Sequence, residues 1–246
     1  MKRFGLIGFP LIRSFSPSYF RQKFEALGLP HVYRTHPMET LEALRGFIDM
    51  QPDLVGLNVT IPHKQTVLQE LDALDATAEA VGAVNTIVIK RQPHLHLTGY
   101  NTDVIGFERS LLGFIGNERP AALVLGTGGA AKAVVFVLQR LGISYVQVSR
   151  TAAGEVLAYE QLNAALVAAH PLIINTTPLG MAPLYADLKP DLPYEGVGAG
   201  HFLYDLVYHS EVTPFLAEGL ARGAKVKNGL EMLHLQADAA WELWQG

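Results

Sequence analysis

Four polar clusters and one glycine-rich loop hold the residue types that chemistry needs. The clusters are Ser14-Phe15-Ser16-Pro17, Asn58-Val59-Thr60-Ile61-Pro62-His63-Lys64, Asn85-Thr86 and Asn101-Thr102-Asp103. Their hydroxyls and amides suit recognition of a small polyol or hydroxy acid. Oxidising an alcohol by hydride removal also requires the hydroxyl proton to leave. Lys64 and Asp103 are the acid/base pair available for that. Singly, each residue has a plainer use: Ser16 and Asp103 as helix caps, the asparagines as turn residues, Lys64 as a surface lysine. Their joint placement beside a hydride-carrier site singles them out.

That second site is Gly126-Thr127-Gly128-Gly129-Ala130, between a run of five apolar residues, Ala121–Leu125, and a helical pattern reaching Leu141. A strand, a glycine turn and a helix N-terminus form the setting in which backbone N–H groups approach a pyrophosphate. A binder of NAD places a carboxylate at the end of the second strand, about 20 residues on, to grip the ribose. This chain has Ser149-Arg150-Thr151 there, and no carboxylate before Glu155. A guanidinium flanked by hydroxyls matches a 2′-phosphate, so the cofactor expected is NADP.

The elements that hold these groups follow from periodicity. Short apolar runs at Phe4–Gly8, His31–His36 and Leu54–Thr60 read as strands, and Val84–Lys90 with Leu95–Thr98 as a hairpin. Helices are expected from Pro17 to Leu27 with Ser16 as cap, over Glu39–Met50, and from Pro62 to about Leu74. The second block reads as helix Val104–Ile115, strand Ala121–Leu125, the glycine loop and its helix, strand Ser144–Ser149, helix Tyr159–Ala169, strands Leu172–Asn175 and Phe202–Val207, and helices Thr213–Arg222 and Gly229–Trp244. Alternating strands and helices predict an α/β fold with mostly parallel sheets. Trp241 and Trp244 read as packing residues. His94 and His96 share a strand face, but two ligands on a hairpin are too few, and no metal is expected.

Composition narrows the function classes. Across 246 residues, 49% are hydrophobic and 17% charged, which excludes disorder and charged tails. The net charge of −4 argues against a nucleic-acid partner. Cysteine is absent, so disulfides and thiolate chemistry are excluded, and a cytoplasmic location is expected. The N-terminal apolar stretch is broken by Pro10 and Arg13, which argues against a leader. No run is long enough to predict a membrane span.

These motifs, taken in order, resemble the shikimate dehydrogenase family, which includes shikimate/quinate enzymes. Besides the segments above, Gly82-Ala83-Val84-Asn85-Thr86, Asn175-Thr176-Thr177-Pro178-Leu179-Gly180-Met181, Asp205-Leu206-Val207-Tyr208 and Gly229-Leu230-Glu231-Met232 with Gln236 carry the likeness across nearly the whole chain. The resemblance implies a substrate domain over 1–102 plus 229–246 and a Rossmann-like NADP domain over 103–228. It implies reversible reduction of 3-dehydroshikimate to shikimate with NADPH, on the route to chorismate and the aromatic amino acids. Ser14, Ser16, Thr60, Asn85, Tyr208 and Gln236 would hold the substrate's hydroxyls and carboxylate. Lys64 and Asp103 would flank the reacting oxygen, and which of them moves the proton stays open. Thr176, Leu206 and Gly229 would lie along the cofactor.

The chain departs from the family pattern at several positions. Ser149 stands where Asn is frequent, Thr127 where Ala is common, Glu231 where Gly is frequent, and Gly154 where a second basic residue often stands. One phosphate contact is therefore expected to be missing. A charge-assisted hydrogen bond is worth roughly 1.5–3 kcal/mol, so a weaker NADP preference is expected. Shikimate and quinate differ by one hydroxyl and ring unsaturation, which leaves a quinate-using relative or relaxed NAD/NADP use open. A catalytically silent NADP-binding sensor is the alternative of another class. The expected assembly is a monomer or homodimer, with domain closure on ligand.

Overall fold

Period-two burial sets the first sheet: along the first strand Phe4 and Leu6 pack into one hydrophobic cluster while Ile7 packs into another. The computed structural model describes residues 1–11 and 14–245, so Arg13 lies outside the described residues. The chain divides into two compact units, Met1–Thr102 with Ala237–Gly246, and Asp103–Gln236. The C-terminal helix is shared: it starts in the second unit and ends in the first.

The first unit runs β1 (Arg3–Gly8), α1 (Ser16–Ala26), β2 (Val32–Pro37), α2 (Leu44–Asp49), β3 (Leu54–Val59), a 3₁₀ turn (Thr66–Glu70), β4 (Ala73–Leu74), α3 (Ala76–Val81), β5 (Thr86–Lys90) and β6 (His96–Tyr100). The sheet order is β2-β1-β3-β5-β6-β4. β1 is parallel to β2 and β3, whereas β5 is antiparallel to β3 and β6. The expected hairpin forms, and it makes this sheet mixed. One face buries Leu44, Ile48, Leu54, Leu57, Ile87 and Leu97, and the other buries Phe20, Phe24, Trp241 and Trp244. Both tryptophans are core residues, and Trp244 Nε1 donates to Ile87 O at 3.0 Å.

The second unit runs α4 (Asp103–Ile115), β7 (Ala122–Leu125), α5 (Gly129–Arg140), β8 (Tyr145–Ser149), β9 (Leu157–Ala158), α6 (Ala164–Ala168), β10 (Leu172–Asn175), β11 (Phe202–Asp205), α7 (Pro214–Leu220), β12 (Lys225–Lys227) and α8 (Leu230–Gln245). Its six strands are all parallel, in the order β12-β11-β10-β7-β8-β9. Numbered from β7, that is the doubly wound order 3-2-1-4-5-6, whose ligand crevice opens where the order reverses. The reversal here lies between β7 and β10. β7, β10 and β11 are buried along their whole length, as strands covered on both faces are.

Several expected elements differ. The helix from Pro62 to Leu74 is instead a turn, the 3₁₀ segment and β4. The spacing of Val67, Leu71 and Leu74 is helical, but Thr66 Oγ1 donates to His63 O, Leu68 N–H bonds Gln65 O three residues back, and the chain turns extended at Leu71 to enter β4. The helix over Glu39–Met50 shortens to α2. The helix over Tyr159–Ala169 splits, because Asn163 accepts from Leu166 N–H at 2.8 Å and caps α6 there. Ser16 is the first helical residue rather than the cap: Phe15 stands at the N-cap with φ −69° and ψ −41°.

Candidate active site

In the first unit the polar clusters gather around the C-terminal ends of β1 and β3 and the start of β5. Thr60 follows β3, and its N–H donates to Ile7 O at 2.9 Å while its carbonyl accepts from His63 N–H at 2.9 Å. Buried His63 donates from Nε2 to Met38 O at 2.6 Å, which ties this turn to the end of β2. Lys64 is half-buried, and its carbonyl accepts from Val84 N–H at 2.7 Å. The next residue, Asn85, is buried and reciprocally bonded to Thr102: Asn85 Nδ2 donates to Thr102 Oγ1 at 2.9 Å, and Thr102 N–H donates to Asn85 Oδ1 at 2.7 Å. Asp103 is the residue after Thr102, buried at the start of α4. Backbone and side-chain bonds therefore link the Lys64, Asn85 and Asp103 motifs in one run.

A second run starts at α1. Buried Ser16 hydrogen-bonds the Tyr33 hydroxyl, which donates to Asn58 Oδ1 at 2.7 Å. Asn58 Nδ2 donates to Thr86 Oγ1 at 3.2 Å. Burial pushes the Tyr33 hydroxyl well above the usual phenol range, so it stays protonated as a donor. Ser14 is half-buried just before α1. Sequence reasoning missed Tyr33, because a lone tyrosine on a strand reads as core. His63 stands inside the Asn58–Lys64 motif with no local signal for its bond to Met38.

In the second unit the glycine loop sits at the strand-order reversal. Gly126 has φ +115°, which favours glycine, and a Cβ there would lie 2.5 Å from Thr176 Oγ1. Thr176 itself donates to Leu125 O through Oγ1 at 2.6 Å, so the Gly126 and Thr176 loops meet. Thr127 and Gly128 complete the turn, and Gly129 and Ala130 open α5. Gly128, at the N-cap, brings no side chain to those first N–H groups. Among the described residues, nothing lies within 4 Å of where its Cβ would project. An uncapped N-terminus of a twelve-residue helix beside open space fits a pyrophosphate.

Arg150 is exposed after β8, and among the described residues its guanidinium forms no ion pair. Ser149 Oγ donates to Thr151 O at 2.5 Å, which closes a tight turn around the arginine. The Ser149 hydroxyl therefore shapes that loop.

Beneath these loops lies Asp205, fully buried. It accepts from Asn175 Nδ2 at 2.9 Å, Val207 N–H at 3.0 Å and Thr213 Oγ1 at 2.6 Å. Burial raises its carboxyl from 3.8 to about 6, against the pull of those three donors. Asn175 in turn accepts from Thr177 N–H at 3.0 Å, so one carboxylate orders both the Asn175–Gly180 loop and the turn through Leu206 to Tyr208. Tyr208 is half-buried and stacks on His209, with ring centroids 4.1 Å apart. Gly229 N–H donates to Val207 O at 3.0 Å, and the Gly229 backbone packs on Leu206. Gln236 is buried on α8, its Nε2 donating to Leu233 O at 2.9 Å.

Residues 6–87 match the family model described as the shikimate dehydrogenase substrate binding domain. The shikimate dehydrogenase (NADP(+)) of Desulforamulus reducens is 36% identical over 265 residues, covering 98% of this chain and 89% of that protein. The chain belongs to the shikimate dehydrogenase family. The enzyme of Oleidesulfovibrio alaskensis, also named shikimate dehydrogenase (NADP(+)), is 39% identical over 99% of this chain and 89% of its own. Among solved shikimate dehydrogenases, the shikimate 5-dehydrogenase of Thermus thermophilus in complex with NADP(H) and shikimate superposes with a TM-score of 0.86 at 34% identity, covering 100% of this chain and 94% of that one. That of Listeria monocytogenes, in complex with shikimate and NAD, gives 0.80 at 28% identity, covering 100% and 92%. The two-domain organisation of this family, a substrate domain and a Rossmann-like NADP domain, matches the mixed sheet followed by the all-parallel one. Among the described residues no helix is long and apolar enough to cross a membrane.

Proposed function

We propose that this protein catalyses the NADP-dependent, reversible reduction of 3-dehydroshikimate to shikimate. The observation that carries the reading is the bonded run from the Lys64 carbonyl through Val84 and Asn85 to Thr102, the residue before Asp103. A sensor that only binds NADP has no need to keep both Lys64 and Asp103, or to tie their motifs together. Bound NADPH supplies the hydride, and NADP takes it back in the reverse direction. Lys64 and Asp103 flank the reacting oxygen, giving its proton in reduction and receiving it in oxidation. Ser14, Ser16, Thr60, Asn85, Tyr208 and Gln236 bind the ring hydroxyls and the carboxylate. The N-terminus of α5, from Gly126 to Ala130, holds the pyrophosphate, and Ser149, Arg150 and Thr151 form the turn that meets the 2′-phosphate. Thr176, Leu206 and Gly229 line the nicotinamide side. The same reading places the enzyme in the cytoplasm, as a monomer or homodimer.

The test is NADPH consumption, followed by absorbance, with 3-dehydroshikimate as substrate. Turnover that depends on both components is expected. A folded protein that binds NADPH without consuming it would leave the sensor reading standing instead.

A further inference from the structure

Helices α4 and α8 meet at Gly106. A Cβ at this position would lie 2.6 Å from the Met232 carbonyl oxygen and 3.0 Å from both the backbone nitrogen and the Cβ of Gln236. The opposing atoms belong mainly to helix backbone, which cannot swing aside as the end of a side chain can. Any larger residue at 106 must therefore push the helices apart. The other glycine inside α4, Gly113, has nothing within 4 Å of its Cβ position among the described residues. Glycine weakens a helix interior relative to alanine, so only Gly106 has a packing reason to oppose local propensity.

The residues beside this contact are those assigned to the chemistry. Asp103 precedes Gly106 by three positions, which puts it on the same face of α4, about 4.5 Å away along the axis. Gln236 is part of the contact itself. On the other side of Gly106 the same helices are clasped. Ser110 Oγ donates to Glu231 Oε2 at 2.6 Å, Lys227 Nζ donates to Ser110 O at 3.1 Å, and Tyr204 donates to Ser110 Oγ at 2.8 Å. Lys227 also pairs with Glu231.

We propose that Gly106 is a positioning residue for the reaction: by letting α4 touch the α8 backbone, it sets the place of Asp103 relative to Gln236. The inference rests on the dehydrogenase reading above. Gly106 touches no reacting atom and acts through its two neighbours. Misplacing a catalytic group by about 1 Å can cost about a hundredfold in rate, and a forced Cβ at this crossing displaces backbone on that scale.

The experiment compares wild type, Gly106→Ala and Gly113→Ala with shikimate and NADP, alongside NADPH affinity by fluorescence titration. Gly106→Ala is expected to lower kcat/KM for shikimate about a hundredfold, mostly in kcat, with NADPH affinity within about twofold of wild type. Gly113→Ala is expected to keep wild-type kinetics and melt at a higher temperature. If Gly106→Ala alone is too unstable to purify, the double variant with Gly113→Ala is assayed instead. Shikimate kcat/KM within about threefold of wild type would overturn the inference. So would equal losses in kcat and NADPH affinity, or a double variant that still does not fold, since Gly106 would then be a general structural requirement. A wild type silent with shikimate would strike the dehydrogenase reading itself, and this inference with it.

Discussion

The first unit fixes the surroundings of Lys64 with neutral side chains bonded to one another, whereas the second fixes the loops around Gly126 with backbone and one buried carboxylate. Ser16, Tyr33, Asn58 and Thr86 form one neutral run, and Thr86 joins it to the Asn85–Thr102 pair through its hydroxyl. Such a network holds its shape whatever the pH and presents hydroxyls and amides already aimed. Around the glycine loop, Gly126 and Thr176 meet through main chain, and Asp205 underlies both neighbouring turns. Arg150 stands outside in solvent. Under the proposed function the contrast is a division of labour: geometry is set in advance on the side proposed to move the proton, and affinity is left to a solvent-exposed cation on the side proposed to hold the phosphate.

The largest expected effect probes the preorganised side. Lys64→Ala removes an acid/base group from a turn held by backbone bonds, so kcat is expected to fall by about 10²–10⁴-fold with the melting temperature little changed. Steady-state kinetics and thermal melts on one preparation check both parts. Near-normal turnover would leave Lys64 without a catalytic role.

The buried carboxylate gives the next effect, and its sign follows from the direction of the shift. The carboxyl of Asp205 is raised in the folded state from 3.8 to about 6. Its contribution to stability is therefore fully present below pH 3.8 and is lost as pH rises through about 6. A shift of this size corresponds to about 3 kcal/mol. The stability of wild type minus that of Asp205→Asn, from denaturant unfolding, should fall by about that amount between roughly pH 4 and 6.5 and level off above. Asp72, Glu218 and Glu231, whose carboxyls are held low by hydrogen bonds and cationic partners, are present in both proteins and cancel. A difference independent of pH would show that Asp205 is not desolvated.

The exposed clamp should behave otherwise. Arg150→Ala is expected to raise KM for NADP about tenfold or more and leave KM for NAD unchanged, because the lost contact is a charge-assisted bond to the 2′-phosphate. Equal losses with both cofactors would move the phosphate site elsewhere. The smallest effect comes from Tyr33→Phe, which deletes the link between Ser16 and Asn58. A loss of about 1 kcal/mol in unfolding free energy is expected, with shikimate KM rising more than NADP KM. Equal changes in both KM values would detach this network from the substrate side.

Much of this arrangement was legible in the sequence, and what was not has local physical causes. The β7–glycine–α5 unit announces itself because a strand covered on both faces is a run of apolar residues. Lys64 and Asp103 announce themselves as polar residues shortly after strands, and Asn85 as one immediately before a strand. The helix expected after Pro62 had the right apolar spacing, but Thr66 bonds back to His63 and the backbone turns extended at Leu71 to pair β4 with β6, a long-range pairing the local pattern does not encode. Lys225-Val226-Lys227 carries too little apolar signal to be read as a strand, yet β12 forms as the edge of the parallel sheet. Tyr33 and His63 matter through partners 25 residues away in sequence, a relation no local pattern encodes.

The most direct measurement is shikimate oxidation by the purified protein, followed by absorbance of the reduced cofactor, with NADP and NAD side by side and quinate as the parallel substrate. The account predicts rapid reduction of NADP with shikimate, and slower reactions in the other three combinations. No reduction in any combination, by protein shown to be folded, would contradict it.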